Sequence, residues 1–306
     1  MIGVIQVLNK LYTDHFTEKD ENLLSAYASL AGISLANAQA YEEIQLERDK
    51  LEARVKERTK DLALALEKSD SLLLNILPTE VAEELKETGE VTPVHFDSVT
   101  IMFTDFKDFT FIAEGMTPQQ LIRELDGYFT QFDKTIERYH LEKLKTIGDS
   151  YMCAGGIPRI GTTHPVEACI AALEIQSFMS HMKEIKEKMK EPFWELRLGI
   201  HTGPVMAGVV GEKKFAYDVW GDTVNIASRM EVSGTTGKIN ISHATYELVK
   251  DFFECEYRGE VDAKNKGKIQ MYFINRIKKE YSLDKDGFVP NEQILSYIAK
   301  LRNTNQ

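Results

Sequence analysis

The stretch FAYDVWGDTVNIASRM, residues 215–230, turns from an apolar, aromatic run into a polar helix start within a few residues. Asp222 is a natural N-cap, which predicts a helix over Asp222 to Met230. Asn225 and Arg229 then lie four apart on one helix face. Asn offers a directional hydrogen bond and Arg a rigid fork of donors suited to phosphate oxygens. Either residue alone is commonly an exposed helix position, but that reading leaves the other fourteen residues unexplained.

Working outward, ELRLGIHTGPVMAGVV (195–210) reads as strands and LEKLKTIGDSYMCAGG (141–156) as a hairpin turning at Ile147-Gly148. VTIMFTDF (99–106) is a strand, and Thr117-Pro118 opens an amphipathic helix over 118–139. Residues 164–190 form a long helix, and KINIS, CEYRGEV and IQMYFINR close the set as strands. The fold class is mixed α+β, in one core, with no internal repeat.

Two carboxylates stand at the ends of these elements. Asp105 ends the 99–106 strand and leads into Phe106, Lys107, Asp108, Phe109 and Thr110; Asp149 follows Gly148 at the hairpin turn. Asp at a strand end is most often a turn former. Two such groups brought together could hold Mg²⁺, which favours one or two carboxylates plus substrate phosphates over an all-protein cage.

FTDFKDFT, LKTIGDSYM, LGIHTGPVMAGVVG and FAYDVWGDTVNIASRM, in this order and spacing, resemble the catalytic domain of the class III nucleotidyl cyclases over residues 96–278. The resemblance implies a ferredoxin-like βαββαβ-type core. It also implies a reaction in which a ribose 3′-hydroxyl attacks the α-phosphate, giving a cyclic nucleotide and pyrophosphate. By position, Asp105 and Asp149, with the Phe106 carbonyl, would hold two Mg²⁺ or Mn²⁺ ions. Backbone amides over Phe106 to Thr110 would cradle phosphate oxygens. Asn225 would orient the ribose, Arg229 would stabilise charge growing on phosphorus, and Lys266, in a stretch that departs from the family's Gly-richer pattern, would reach the triphosphate.

The resemblance also assigns base reading to Lys145 and Asp218. Adenine presents an acceptor at N1 and a donor at N6, which a lysine and an aspartate complement. Guanine reverses that pattern, and family members that use it carry an acid and a small donor instead. ATP is therefore the expected substrate and adenylyl cyclase the expected activity. A guanylyl cyclase of the same fold and a non-catalytic dimeric module are the alternatives; the latter should have lost Asp105, Asp149 or Arg229. In homodimeric members each site is split, one chain giving the metal carboxylates and the other the base readers, Asn and Arg.

Upstream, composition shifts. Residues 42–70 hold nine acids and seven bases with no Gly or Pro, and Leu51, Val55, Leu62, Leu66, Leu73 and Ile76 recur at 3,4 spacing. Such a charge run is often a solvated single helix. The mixed-charge flanks of an apolar seam favour a short parallel coiled coil over 41–77, and hence a homodimer. Residues 78–95, broken by Pro78 and ended by Gly89, resemble the transducing element preceding many cyclase domains. Residues 1–11 read as a strand and 18–40 as a helix, too little to bury a core. Asn9-Lys10, Phe16 and Asp20-Glu21 resemble a signature of cyclic-nucleotide-binding GAF domains. Residues 1–40 are thus expected to be the last part of a GAF-like sensor, its pocket absent. The tail, 279–306, carries no readable role.

Net charge is −11, from 37 Lys+Arg against 48 Asp+Glu, which argues against nucleic-acid or anionic-membrane partners. No apolar run approaches a bilayer span, and the start lacks the pattern of a signal peptide. Cys153, Cys169 and Cys255 form no metal or redox motif, and a cytoplasmic setting is expected. His164 and His201 lack ligand partners at metal spacing and read as core or surface residues. GEKK (211–214) is no Walker site, and Asp284-Lys-Asp-Gly is a turn rather than a calcium loop.

Overall fold

The structure, a computed structural model, describes residues 3–8, 15–211, 215–263 and 267–304. The chain divides into two compact units, Met1–Leu72 and Leu73–Gln306.

In the first unit, α1 (Glu18–Leu74) is one helix of 57 residues that runs unbroken through position 40 and reaches into the second unit by its last two residues. Thr17 starts it by donating through its backbone N and Oγ1 to Asp20 Oδ2, at 2.8 and 2.6 Å. No residue of α1 is buried, and Leu51, Val55, Leu62 and Leu66 are exposed. An isolated helix with a row of bare leucines lacks the tertiary packing from which most helical stability comes. The strand expected over 1–11 does not form in its described part: residues 3–8 are irregular, and among the described residues no strand pairs with them. Asn9 and Lys10 lie outside the described residues.

The second unit runs α2 (Thr79–Thr88), β1 (Val94–Phe106), α3 (Phe109–Ala113), α4 (Pro118–Arg138), β2 (Glu142–Ile147), β3 (Ser150–Gly155) and α5 (His164–Met189). There follow β4 (Leu196–Val210), β5 (Ala216–Trp220), α6 (Asp222–Val232), β6 (Ile239–Ser242), α7 (His243–Val249), β7 (Phe253–Ala263), β8 (Gly267–Ile277) and α8 (Glu292–Thr304). One sheet carries the order β2-β3-β1-β4-β6-β8-β7, with β5 added on β4. Among the described residues only the β4–β6 pairing is parallel; the other strand pairings are antiparallel. β1-α4-β2-β3-α5-β4 with spatial order β2-β3-β1-β4 is the ferredoxin-like unit that the motifs implied.

Thr117 closes a capping box with Gln120 and Pro118 fills the first turn, so α4 begins where the sequence places it. α4 and α5 cover one face of the sheet, burying Phe132, Ile136, Ile170 and Leu173 against Met102, Leu198 and Ile200. On the other face, Leu77, Val81 and Ala82 of the α2 region, with Ala227 of α6, pack on Ile101, Phe103 and Val205. This second layer is what holds α6 against β4.

The tail folds onto the domain. Ile294 and Ile298 of α8 join the α4–α5 core, and Arg302 pairs with the buried Glu167 while its Nη1 lies 2.8 Å from His140 Nε2. Replacing Ile294 by Ala should cost roughly 2–4 kcal/mol, because a fully buried isoleucine leaves a cavity that packing refills only in part. Thermal denaturation of the variant reads this directly; an unchanged midpoint would mean that α8 is not docked. Asp284 accepts from the backbone N of Val289 (2.8 Å) and Phe288 (3.2 Å), which fixes the turn before α8.

Candidate active site

Asp105 lies at the end of β1, directly across from Arg197 of β4 in the antiparallel register, and the two side chains form an ion pair. The β2–β3 turn, made possible by Gly148 at φ 63°, brings Asp149 to the same point. Burial, and then the facing Asp105, pushes the Asp149 carboxyl above its ordinary range; an N–H of Phe106 partly offsets this. The two residues are therefore brought together as the sequence expected. Arg197 also reaches Glu231 of α6, its Nε lying 3.1 Å from Oε1 but out of line for a hydrogen bond. Burial raises the Glu231 carboxyl to about 7, with Asp105 adding to the rise.

This donor set fits a divalent cation. Two crowded carboxylates, one destabilised as an anion by its neighbour, gain from a shared positive charge, and no three acidic, His or Cys side chains converge among the described residues. A pair of carboxylates that leaves room for phosphate oxygens suits Mg²⁺.

Phe106 is buried in an aromatic cage with Tyr128, Phe132 and Trp194, its ring centroid 5.4 Å from that of Trp194. This anchors the loop that follows. The Lys107 backbone N donates to Glu195 O at 2.8 Å, so it is not available to a phosphate. Asp108 takes the left-handed conformation (φ 56°) and Phe109 and Thr110 open α3, whose first N–H groups have no acceptor within the helix. Of the five residues expected to form a cradle, Lys107 thus has its N–H engaged within the chain and Phe106 turns its N–H to Asp149.

Lys145 of β2 and Asp218 of β5 form an ion pair, and Asp218 Oδ1 also accepts from Val219 N at 2.9 Å. β5 is placed for this by pairing with the far end of β4, Asp218 opposite Gly208. On α6 the cap is Gly221 rather than Asp222, which instead forms the first turn. Gly221 stands at φ 146°, with Pro204 O 3.2 Å from where a side chain would begin, so a residue able to cap through a side chain does not fit there. Asn225 is exposed and Arg229 half-buried, its Nη1 donating to Asp262 O at 3.0 Å. Among the described residues no hydrogen bond or ion pair joins Asn225 or Arg229 to Asp105 or Asp149 within the chain. Lys266 lies outside the described residues.

Sequence reasoning missed Arg197, Glu231 and Trp194. The signal for Arg197 is a charge set inside an otherwise apolar strand, Leu196-Arg-Leu-Gly-Ile, at a position that only the β1–β4 register aligns with Asp105.

The ferredoxin-like sheet thus joins two carboxylates at one strand end and carries a Lys–Asp pair between β2 and β5. The family of the adenylate and guanylate cyclase catalytic domain matches residues 91–276, and the chain belongs to it. An adenylate cyclase of Mycobacterium tuberculosis is 37% identical over 209 residues, which are 68% of this chain and 46% of that protein; the match thus spans about half the relative's length. Among solved structures, the guanylate cyclase domain of RhGC from Catenaria anguillulae in complex with GTP is 31% identical, with a TM-score of 0.56, over 60% of this chain and 100% of that one. The adenylyl cyclase CyaB from P. aeruginosa is 27% identical, also at a TM-score of 0.56, over 61% of this chain and 98% of its own. Among the described residues no helix is long and apolar enough to cross a membrane.

Proposed function

We propose that this chain is an adenylyl cyclase that converts ATP to 3′,5′-cyclic AMP and pyrophosphate at two equivalent sites shared across a homodimer, in the cytoplasm. The observation that carries the substrate assignment is the Lys145–Asp218 pair. Its donor and acceptor complement N1 and N6 of adenine, and against guanine they would leave buried polar groups unpaired. The family includes both adenylate and guanylate cyclases, so this pair is what favours ATP.

Asp105, Asp149 and the Phe106 carbonyl would hold two Mg²⁺ or Mn²⁺ ions. When bound, these ions lower the pKa of the ribose 3′-hydroxyl and bind the leaving phosphates. The open N–H groups of Phe109 and Thr110 receive phosphate oxygens. Asn225 and Arg229 act from the partner's α6, Asn225 orienting the ribose and Arg229 meeting the charge that grows on phosphorus. Within the chain Arg229 is engaged with Asp262 O and, among the described residues, neither it nor Asn225 bonds the carboxylates, which suits a site completed by a second copy. The exposed leucines of α1 supply a reason for two copies to join, as a parallel coiled coil over 41–77.

The test is cyclic AMP formed from ATP against cyclic GMP formed from GTP, with Mg²⁺ or Mn²⁺ and with chelator. Cyclic AMP dependent on the metal supports the reading. Cyclic GMP alone would make it a guanylyl cyclase, and no product with either nucleotide would make it a dimeric module. Inserting one residue into 41–77 rotates the helix by about 100° and should change turnover severalfold; unchanged turnover would argue against coupling through this segment.

A further inference from the structure

Six buried polar side chains form one continuous chain through the sheet. His164 Nδ1 lies 2.8 Å from Thr100 Oγ1, which lies 2.8 Å from Thr202 Oγ1, its direct partner across β1 and β4. Thr202 Oγ1 continues to Thr245 Oγ1 at 3.1 Å, Thr245 to Ser242 Oγ at 3.3 Å, and Ser242 to His201 Nδ1 at 2.6 Å. All six residues are buried. Ser242, at the end of β6, is where the chain passes from the α5 side of the sheet to the α6 side.

The two ends sit at places of different consequence. His164 lines a cavity of ≈ 810 Å³ between the end of α1, the start of α2 and the base of the β2–β3 hairpin, with Leu74, Leu77, Glu142 and Pro158. His201 lies beneath α6. α6 rests on β4 over Gly199, His201 and Gly203. A methyl group on Gly199 would meet Glu231 N at 2.0 Å, and one on Gly203 would meet Thr223 Oγ1 at 2.7 Å and His201 Nε2 at 3.4 Å. Two glycines let the helix down onto the strand, and His201 is the side chain between them.

Each hydroxyl has one proton to give, so the chain runs in one of two directions. If Thr100 donates to His164, every hydroxyl donates toward His164 and His201 Nδ1 carries the proton. If His164 Nδ1–H donates, the sense reverses and His201 Nδ1 accepts. The two Nδ1 atoms cannot both accept, and with every hydroxyl proton kept within the chain the histidines hold opposite tautomers. Burial lowers the His164 pKa to about 4, so its ring stays neutral near pH 7.

We propose that this chain is a two-state relay in which His164, at the cavity beside the transducing segment, sets the tautomer of His201, and that His201 is a positioning residue for α6 and hence for Asn225 and Arg229. The effect on turnover rests on the proposed cyclase reading; the tautomer coupling does not. Rearrangement around the cavity that changes what His164 Nε2 meets would reach α6 by reversing five hydrogen bonds, with no backbone shift required. A bistable element of this kind gives a coupling route physical content.

The experiment is ¹⁵N NMR of the imidazoles in the full chain, with Thr202→Val to cut the relay and Thr202→Ser to restore it. In the wild type each histidine should show one tautomer, the two opposite. Thr202→Val should leave His201 a mixture of tautomers and lower kcat about tenfold with KM within about twofold, equivalent to roughly 1.4 kcal/mol; Thr202→Ser should recover both. An unchanged His201 signal in folded Thr202→Val protein overturns the relay, as do like tautomers in the wild type. If Thr202→Val does not fold, His164→Asn read at His201 decides in the same way. A wild type that makes no cyclic nucleotide defeats the cyclase reading and leaves the NMR result standing.

Discussion

A chain carrying Asp105→Ala and a chain carrying Arg229→Ala are each expected to lose nearly all cyclase activity, and their equimolar mixture to recover about a quarter of the wild-type rate. The quarter follows from the symmetry. Random pairing makes half the dimers mixed, and in each mixed dimer one site takes both damaged halves while the other takes both intact ones. Each single loss should be on the order of 10²–10³ in kcat, because removing a group that meets developing charge in a dry site typically costs that much. Asp105→Ala has a second consequence: Arg197 loses its partner and falls back on Glu231 alone. Confirmed mixed dimers without activity would refute shared sites. Activity in the Arg229→Ala chain alone would refute the role of Arg229.

What could be read in advance was set by local chemistry. α4 was legible because Thr117, Pro118 and Gln120 fix its start and apolar residues mark one face. The β2–β3 hairpin was legible from Gly148, and α6 from the cap expected at Asp222, one residue past the Gly221 cap that forms. β5 was not, because Ala216 and Trp220 are exposed and Asp218 interrupts the run; only its pairing with β4 makes it a strand. Arg197 and Glu231 were invisible for a deeper reason. Their meeting with Asp105 depends on the β1–β4 register and on Gly199 admitting α6, neither of which local pattern reports. The buried relay has the same origin: Thr100 and Thr202 are ordinary strand threonines until the sheet sets them opposite each other. The tail carried no readable role, because Ile294 and Ile298 of α8 acquire meaning only from the surface they cover. Residues 3–8 show the converse, an apolar run with strand pattern that pairs with no strand among the described residues.

Exchanging the base readers should invert nucleotide preference. In Lys145→Glu combined with Asp218→Cys, an acid and a small donor replace a donor and an acceptor, which is the pattern guanine needs. Cyclic AMP formation should fall by about 10³ in kcat/KM, since a site built to hydrogen-bond one edge rejects the reverse edge by orders of magnitude. GTP should become the better substrate. Lys145→Glu alone should be worse with both nucleotides than the double variant, because it sets a second carboxylate against Asp218, where Lys145 now pairs. That non-additivity is the diagnostic feature, for residues in direct contact should couple strongly. Asp218→Cys alone should keep some ATP use, Lys145 still donating to N1, and its β5 position should survive because the ladder with β4 is made by backbone groups. A double variant that still prefers ATP would mean that the purine is read elsewhere and that the Lys145–Asp218 pair is a structural bridge between β2 and β5. Strictly additive losses, with neither nucleotide favoured, would point to the same conclusion.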